Sequence, residues 1–459
     1  MSMRFSYKPF FIIPIFFLVS CEKFVDINPP STQIYSEALF NDKDAIVSAV
    51  TGLYSQMSSQ SNTIPTGGLS LYGSLSADEL VNTISNAELD VFTQNSLSPA
   101  NESVIYGKLW KPSYSLIYHA NKVLEGIELS HISSSLKNQL SGEALVIRAL
   151  NYFYLTNLFG DVPLILSTDF EKNSIQPRIP PTSIYDQIIE DLEKSINLLG
   201  NEYPSSGRVR VNKYAAHALL ARVCLYAGRP EKALIHADSV IKNGGYEMEN
   251  DPNNAFLSSS TEAIWQLMPV NLYQDTPEGY VFVPYSKQTI PGYTFRPSFI
   301  ASFEDNDLRF DSWIGVNTIN GFNYYFPYKF KNRVGGPPYG EYTLILRFAE
   351  QFLIRAEAYA LTGNLDLAVK DINTIRRRAL LPEVNVTNQD EAISTIMQER
   401  KSELFAEWGH RWLDLKRLGL AGSALKDLKA PNWDATDVLY PIPFTELQTN
   451  PFLNQNAGY

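Results

Sequence analysis

Glu399, Glu403, Glu407 and Arg411 follow one another at four-residue steps, with Arg400, Asp414 and Arg417 close by. Carboxylates so placed invite a general acid–base reading. Glycosidase carboxylates, however, act from opposite sides of a bond, about 5–10 Å apart in a cleft. Neighbours on one helix, Glu399 to Arg417, ringed by arginines do not suit that task. The pattern predicts instead an ion-pair network of Glu399, Arg400, Glu403, Glu407, Arg411 and Asp414 that locks helices together. A second concentration of chemistry lies between Tyr273 and Tyr342, where about a quarter of the side chains are aromatic against 12% for the chain. Tyr and Trp offer a flat apolar face and a hydrogen-bonding tip, which suits the C–H face and hydroxyl edge of a sugar ring. Tyr280, Tyr285, Tyr293, Trp313, Tyr324 and Tyr339 are the candidates there. Tyr72 and Asp78, with Glu79 beside them, form a second candidate wall. Phe326, Tyr328 and Phe330 read as the core of the same region, and Trp110 and Tyr114, four apart on a helix, as core elsewhere.

Other chemistries find no support. His119, His131, His217, His236 and His410 show no metal-ligand spacing and have no cysteine partners. There is no phosphate-binding loop, nucleophile elbow or EF-hand. Glu304-Asp305-Asn306-Asp307 lacks the glycine and distal Glu of a calcium loop and reads as a turn before Leu308. No metal site and no cofactor are expected. A net charge of −11, without a long basic block, gives no electrostatic reason to bind nucleic acid.

The N-terminus carries a basic start (Arg4, Lys8), an apolar run from Phe10 to Val19 broken by Pro14, and then Cys21. The run is too short for a bilayer core that needs about 20 apolar residues. Its form is that of an export signal, and Leu18-Val19-Ser20-Cys21 resembles the lipobox of bacterial lipoproteins, in which the cysteine is acylated. Cys21 is therefore the expected lipid anchor. Cys224, the second of two cysteines, sits in an apolar helical stretch as a buried, inert thiol, and no disulfide is expected in the mature monomer.

The elements that must position these residues are mostly helical. Apolar spacing of three and four predicts helices from Asp42 to Val50, Val104 to Ile127, Leu136 to Phe159 and Ile184 to Leu199. Ser58 to Gly73 reads as a loop. Ala221 to Ala233 is echoed by Ala356 to Ala368 at one constant offset, with Gly228 matching Gly363, so each copy reads helix, glycine turn, helix. This is the pattern of a tetratricopeptide unit, whose helices cannot bury their apolar faces alone. Helices resume from Thr343 to Leu380 and from Glu391 to Leu418.

Several stretches together resemble one family, the SusD-like (RagB/SusD) outer-membrane lipoproteins of Bacteroidetes. They are Phe159-Gly160-Asp161-Val162-Pro163-Leu164, Arg347 to Ala358, the Glu399–Leu415 pattern, and the tail from Leu439-Tyr440-Pro441-Ile442-Pro443 to Gly458-Tyr459. In the third of these, Trp408 stands where glycine is usual and Gly409 follows one place later. The resemblance implies a mostly α scaffold of tetratricopeptide-like helix pairs forming a superhelix, with an irregular aromatic-rich loop region and a few short strands. The expected division is a signal peptide at 1–20, an anchor and tether at 21–32, a helical part at 33–245, the loop subdomain at 246–342, and a C-terminal helical part and tail at 343–459. It also implies a surface lipoprotein that binds oligosaccharide without cleaving it and delivers it to a SusC-like TonB-dependent transporter. Peptide binding within the same family, or a surface glycan hydrolase, are the alternatives.

Overall fold

Asp42 opens the first described helix, its carboxylate accepting the Asp44 amide at 2.8 Å and so satisfying a backbone donor that the helix cannot. That helix is α1 (Lys43–Ser59). The computed structural model describes residues 1–3 and 42–459; Cys21 and the expected tether lie outside the described residues. There follow α2 (Leu69–Ser76), β1 (Leu80–Asn82), α3 (Lys111–Leu129), α4 (Ser134–Phe159), α5 (Pro181–Leu198), α6 (Lys213–Tyr226) and α7 (Pro230–Asn243). Next come β2 (Ala263–Leu267), β3 (Tyr293–Phe295), β4 (Ile314–Ile319), β5 (Phe322–Pro327) and β6 (Thr343–Arg347). The chain then forms α8 (Phe348–Leu361), α9 (Leu365–Arg378), α10 (Gln389–Leu404) and α11 (His410–Arg417).

From α3 to α9 each helix packs on the next, and α7 meets α8 although residues 244–347 intervene. The two echoed sequence copies are the hairpins α6–α7 and α8–α9. Gly228 and Gly363 turn them at φ +67° and +80°, backbone that residues with a Cβ rarely adopt. Ala221, Ala233, Ala356 and Ala368 are fully buried where the helices approach. Buried ion pairs staple successive layers: Arg148 of α4 to Asp191 of α5 at 2.7 Å, and Arg222 of α6 to Glu350 of α8 at 2.6 Å. Cys224 is buried in this stack, and burial pushes its thiol up to about 12. The superhelix of helix pairs is the expected fold.

Three local expectations change. Leu69–Ser76, inside and just past the stretch read as a loop, is a wholly buried helix. Its small residues serve close packing: a Cβ on Gly73 would lie 2.7 Å from the Gly409 Cα. Thr343–Arg347 is a strand, not the start of a helix, and pairs antiparallel with β2. All five of its residues are buried, so its apolar run carries no amphipathic period. The helix expected from Glu391 to Leu418 breaks between α10 and α11, where Ala406, Trp408 and Gly409 take positive φ. Glu407 thus lies in a turn, off the face that Glu399 and Glu403 share.

The loop region is sewn to the scaffold by strands and charge. β3 pairs with β1 in the register Leu80↔Phe295 and Asn82↔Tyr293. Beneath it, Arg309, Lys329, Arg347, Arg376 and Arg378 meet Glu262, Asp307, Glu399, Glu403 and Glu407, all with side chains at most 8% exposed. Glu403 accepts from Arg347 at 2.6 Å and Arg309 at 3.4 Å, and also pairs with Arg378. Glu399 bridges Arg309 and Arg376 at 2.9 and 2.6 Å. Glu407 holds Lys329 at 2.5 Å and Arg347 at 3.0 Å. Asp414 binds Arg400 and Arg417 at 2.7 and 2.8 Å, while Arg411 turns away to Asp78. The six residues read as a network all take part in buried or half-buried ion pairs, in three connected groups.

Removing one charge from such a cluster strands its partners in a dry interior, at about 3–5 kcal/mol. Glu403→Gln is therefore expected to lower the unfolding free energy by about that amount in chemical denaturation. Burial alone would raise the Glu403 and Asp414 carboxyls, but the surrounding arginines outweigh it and hold both well below the usual carboxylate range. The unfolded chain then binds protons that the folded chain refuses. Stability from these two groups is complete above about pH 4.3 and drains as pH falls further, which denaturation between pH 5 and 2.5 should show in the parent and less steeply in Glu403→Gln.

Candidate functional site

Asp275 organises the surface of the loop region. One carboxylate oxygen accepts from the Asn332 side chain at 2.9 Å and from the Gly340 and Glu341 amides at 3.0 and 3.3 Å; the other accepts from the Gly336 amide at 3.2 Å. The approach is so close that a Cβ on Gly335 would lie 1.6 Å from the Asp275 carboxylate. The Gly-Gly-Pro-Pro segment 335–338 is thus bound to the 268–280 loop. The Tyr273 carbonyl accepts from the Gly335 amide at 3.1 Å, and the Tyr339 hydroxyl donates to the Asn271 carbonyl at 3.2 Å.

On this laced base stands a row of exposed side chains. Tyr273 is 77% exposed and Tyr280 49%, with Met268, Val270, Leu272 and Val334 exposed in the same two loops. Arg333 donates to the Tyr280 and Val283 carbonyls and sets its guanidinium 4.7 Å from the Tyr280 ring centroid. One face of that ring is backed by a cation, which fixes it in place. Beside the row, Asn271, Gln274 and Asp275 face Ser58, Ser59, Ser61 and Thr66 across a shallow cleft of about 50 Å³. Flat rings next to a hydroxyl- and amide-lined groove can stack on one face of a ligand and hydrogen-bond its edge.

The candidates read from sequence divide between surface and core. Tyr280 and the half-buried Tyr339 belong to the platform loops, and Tyr285 (83% exposed) lies in the segment after the Pro277–Phe282 helix. Tyr324 is half-buried on β5, opposite Asn317. Tyr72, Tyr293 and Trp313 are core residues, contrary to expectation. Tyr72 stacks on Phe92 with centroids 4.9 Å apart, and Tyr293 meets Phe282 edge-on. Trp313 donates to the Pro252 carbonyl at 2.9 Å beneath Lys329, Arg378 and Arg347. Asp78 spends both oxygens on Arg411 at 2.8 Å. Of the residues read as core, Trp110 is buried, while Tyr114 is half-buried and lines an apolar cleft of about 550 Å³ with Phe170. Tyr273 and Asn271 were not singled out. Their signal was the glycine pair at 335–336, which marks close backbone approach.

A model described as starch-binding associating with outer membrane matches residues 23–225, and the SusD family model matches residues 311–459. The chain belongs to the SusD family. A SusD-like protein P25 of Formosa agariphila is 26% identical over 98% of each chain. A SusD superfamily structure from Bacteroides vulgatus superposes with a TM-score of 0.82 at 22% identity, covering 92% of this chain and all of its own. A laminarin-binding SusD-like protein shares the fold with a TM-score of 0.77 at 23% identity, over 91% of this chain and 100% of that one.

Beneath the platform of this SusD-family chain lies a carboxyl with no cation. Glu278 sits in the short helix Pro277–Phe282 that carries Tyr280. Its only hydrogen bond among the described residues is a long one, 3.5 Å, from the Ser70 hydroxyl, and its Oε2 is buried without a partner. Burial foremost, with the negative charges of Glu407 and Glu341, pushes it up to about 7. The folded chain thus keeps a proton there that the unfolded chain gives up near pH 4.3. The associated stability is complete below that pH and is lost as pH rises through 7, in all about 4 kcal/mol. Unfolding free energy should decline from pH 4.5 to 7.5 in the parent and decline less in Glu278→Gln, as measured by denaturant titration at each pH.

Proposed function

We propose that this chain is a surface lipoprotein, anchored through Cys21, that binds an oligosaccharide on the Tyr273–Tyr280 platform and passes it uncleaved to a SusC-like TonB-dependent outer-membrane transporter. The observation that carries this reading is the exposed aromatic row held rigid by Asp275 and Arg333 beside a polar cleft. The family description, starch-binding and associating with outer membrane, and the laminarin-binding relative of the same fold support a glycan as the ligand.

The way the nearby carboxylates are used supports binding without hydrolysis. Asp275 is taken up by four backbone and side-chain donors, Glu341 accepts the Lys331 and Asn332 amides, and Glu278 is buried under the loops. The Glu403 cluster is dry and fully paired with cations. Neither set offers a free acid and base across an open groove.

Calorimetry of the purified full chain against a panel of α- and β-glucans and other oligosaccharides should find a ligand with no release of reducing ends. Tyr273→Ala and Tyr280→Ala should each weaken that ligand about 10-fold, the loss of roughly 1.4 kcal/mol of ring contact. Turnover by the pure protein, or unchanged affinity in both variants, would sink the reading. Cys21→Ala should move the protein from the membrane fraction to the soluble one.

A further inference from the structure

The α6–α7 turn brings together two histidines that lie 19 residues apart in sequence. His217 of α6 and His236 of α7 set their Nδ1 atoms 3.0 Å apart, with ring centroids at 5.2 Å and planes tilted by 40°. Tyr214 lies over the His217 ring at 6.3 Å and 30°, which limits its rotation. Both histidines are half-buried, so the pair is supported from below and open to solvent above. Burial first holds both imidazoles down to about 4; His236 and then Lys213 add to it at His217, while at His236 the opposing charge of Glu193 outranks the lowering by Lys232. At neutral pH both are in the uncharged form that ligates metal. Glu193 of α5 also pairs with Lys232 at 2.8 Å and offsets its charge.

Two facing Nδ1 atoms have two ways to be satisfied: one ring donates its N–H to the other, or a cation takes both lone pairs. The spacing favours one class of cation. Metal–imidazole bonds are about 2.0–2.1 Å, so nitrogens 3.0 Å apart subtend about 90–95° at a shared metal. A tetrahedral centre would hold them about 3.3–3.4 Å apart at the same bond length. Near-right angles between adjacent nitrogens belong to square-planar and tetragonal sites, the preference of Cu(II) and Ni(II), with Cu(II) bound more tightly. Among the described residues no group of three or more His, Cys, Asp or Glu is placed to hold a metal, so water completes the coordination and the ion remains exchangeable.

We propose that His217 and His236 form a cis bis-imidazole site on the outer surface of the α6–α7 hairpin, selective for Cu(II) over Zn(II). It shares no residue with the platform or its cleft.

The test titrates CuCl₂ into the purified full chain and follows binding by equilibrium dialysis and electron paramagnetic resonance. One tightly held Cu(II) per chain is expected, with hyperfine splitting from two nitrogens, and with ZnCl₂ competing at least 10-fold less well. His217→Ala and His236→Ala should each weaken that site at least 10-fold and remove the two-nitrogen signature, while His131→Ala leaves it intact. Circular dichroism melts establish that the variants are folded. A site unchanged in both single variants and in the double variant would overturn the proposal and leave the contact as a hydrogen bond. Equal affinity for Cu(II) and Zn(II) would overturn the tetragonal assignment.

Discussion

Glu403 carries more of this structure than any other side chain. It lies at 0% exposure at the end of α10, yet it binds arginines from three places: Arg309 before β4, Arg347 closing β6, and Arg378 ending α9. Each contact ties a different part of the loop region or helical stack to one point. Desolvating that many charges costs several kcal/mol per ion, and hydrophobic packing of equal volume would hold the elements together at least as well. What the charges add is position. A guanidinium fork meets a carboxylate in few orientations, so strands β2 and β6 and the turn before α11 settle in one arrangement on the scaffold.

That constraint decides which aromatic residues can meet a ligand. Trp313 has the composition of a sugar-stacking residue, but Lys329, Arg378 and Arg347 lie 4.8–5.7 Å from its ring. The ring therefore shields the cluster from water instead of facing it. Tyr280 also has an arginine on one face, yet it stands half exposed because that arginine, Arg333, is not one of the buried cluster. Asp275 repeats the logic of Glu403 under the outer loops with neutral donors, and Arg333 adds the cation on Tyr280. A platform ordered before the ligand arrives loses little entropy on binding.

The sequence makes the scaffold legible because its signals are local and periodic. The Ala221/Ala356 and Gly228/Gly363 matches fall at the helix contacts and turns, and Glu399, Arg400, Glu403 and Asp414 face inward as their spacing implied. The errors come from tertiary context. Leu69–Ser76 has the composition of a loop but is a helix because Gly73 must touch Gly409. The Glu391–Leu418 helix breaks because Trp408 must reach back to donate to the Leu344 carbonyl at 2.7 Å. Aromatic content marks a region that holds the exposed rings of Tyr280 and Tyr285, but not which of its rings face outward. Exposure in an irregular loop follows no period that a sequence displays, and here it is set by Asp275, Arg333 and two glycines.

The shallowness of the cleft bears on delivery. In the proposed function the site hands its ligand to a partner, which calls for a fast off-rate, and contact with one face of a ligand yields that more readily than enclosure. The rigid base supplies enough preorganisation for a few ring contacts to suffice, while the 50 Å³ cleft is too small to swallow a sugar ring. In that proposal specificity rests on the spacing of Tyr273, Tyr280 and the serine rim, positions remote from the Glu403 contacts. The buried charge cluster and the open platform are thus two halves of one arrangement: the first fixes the loops so that the second can remain exposed.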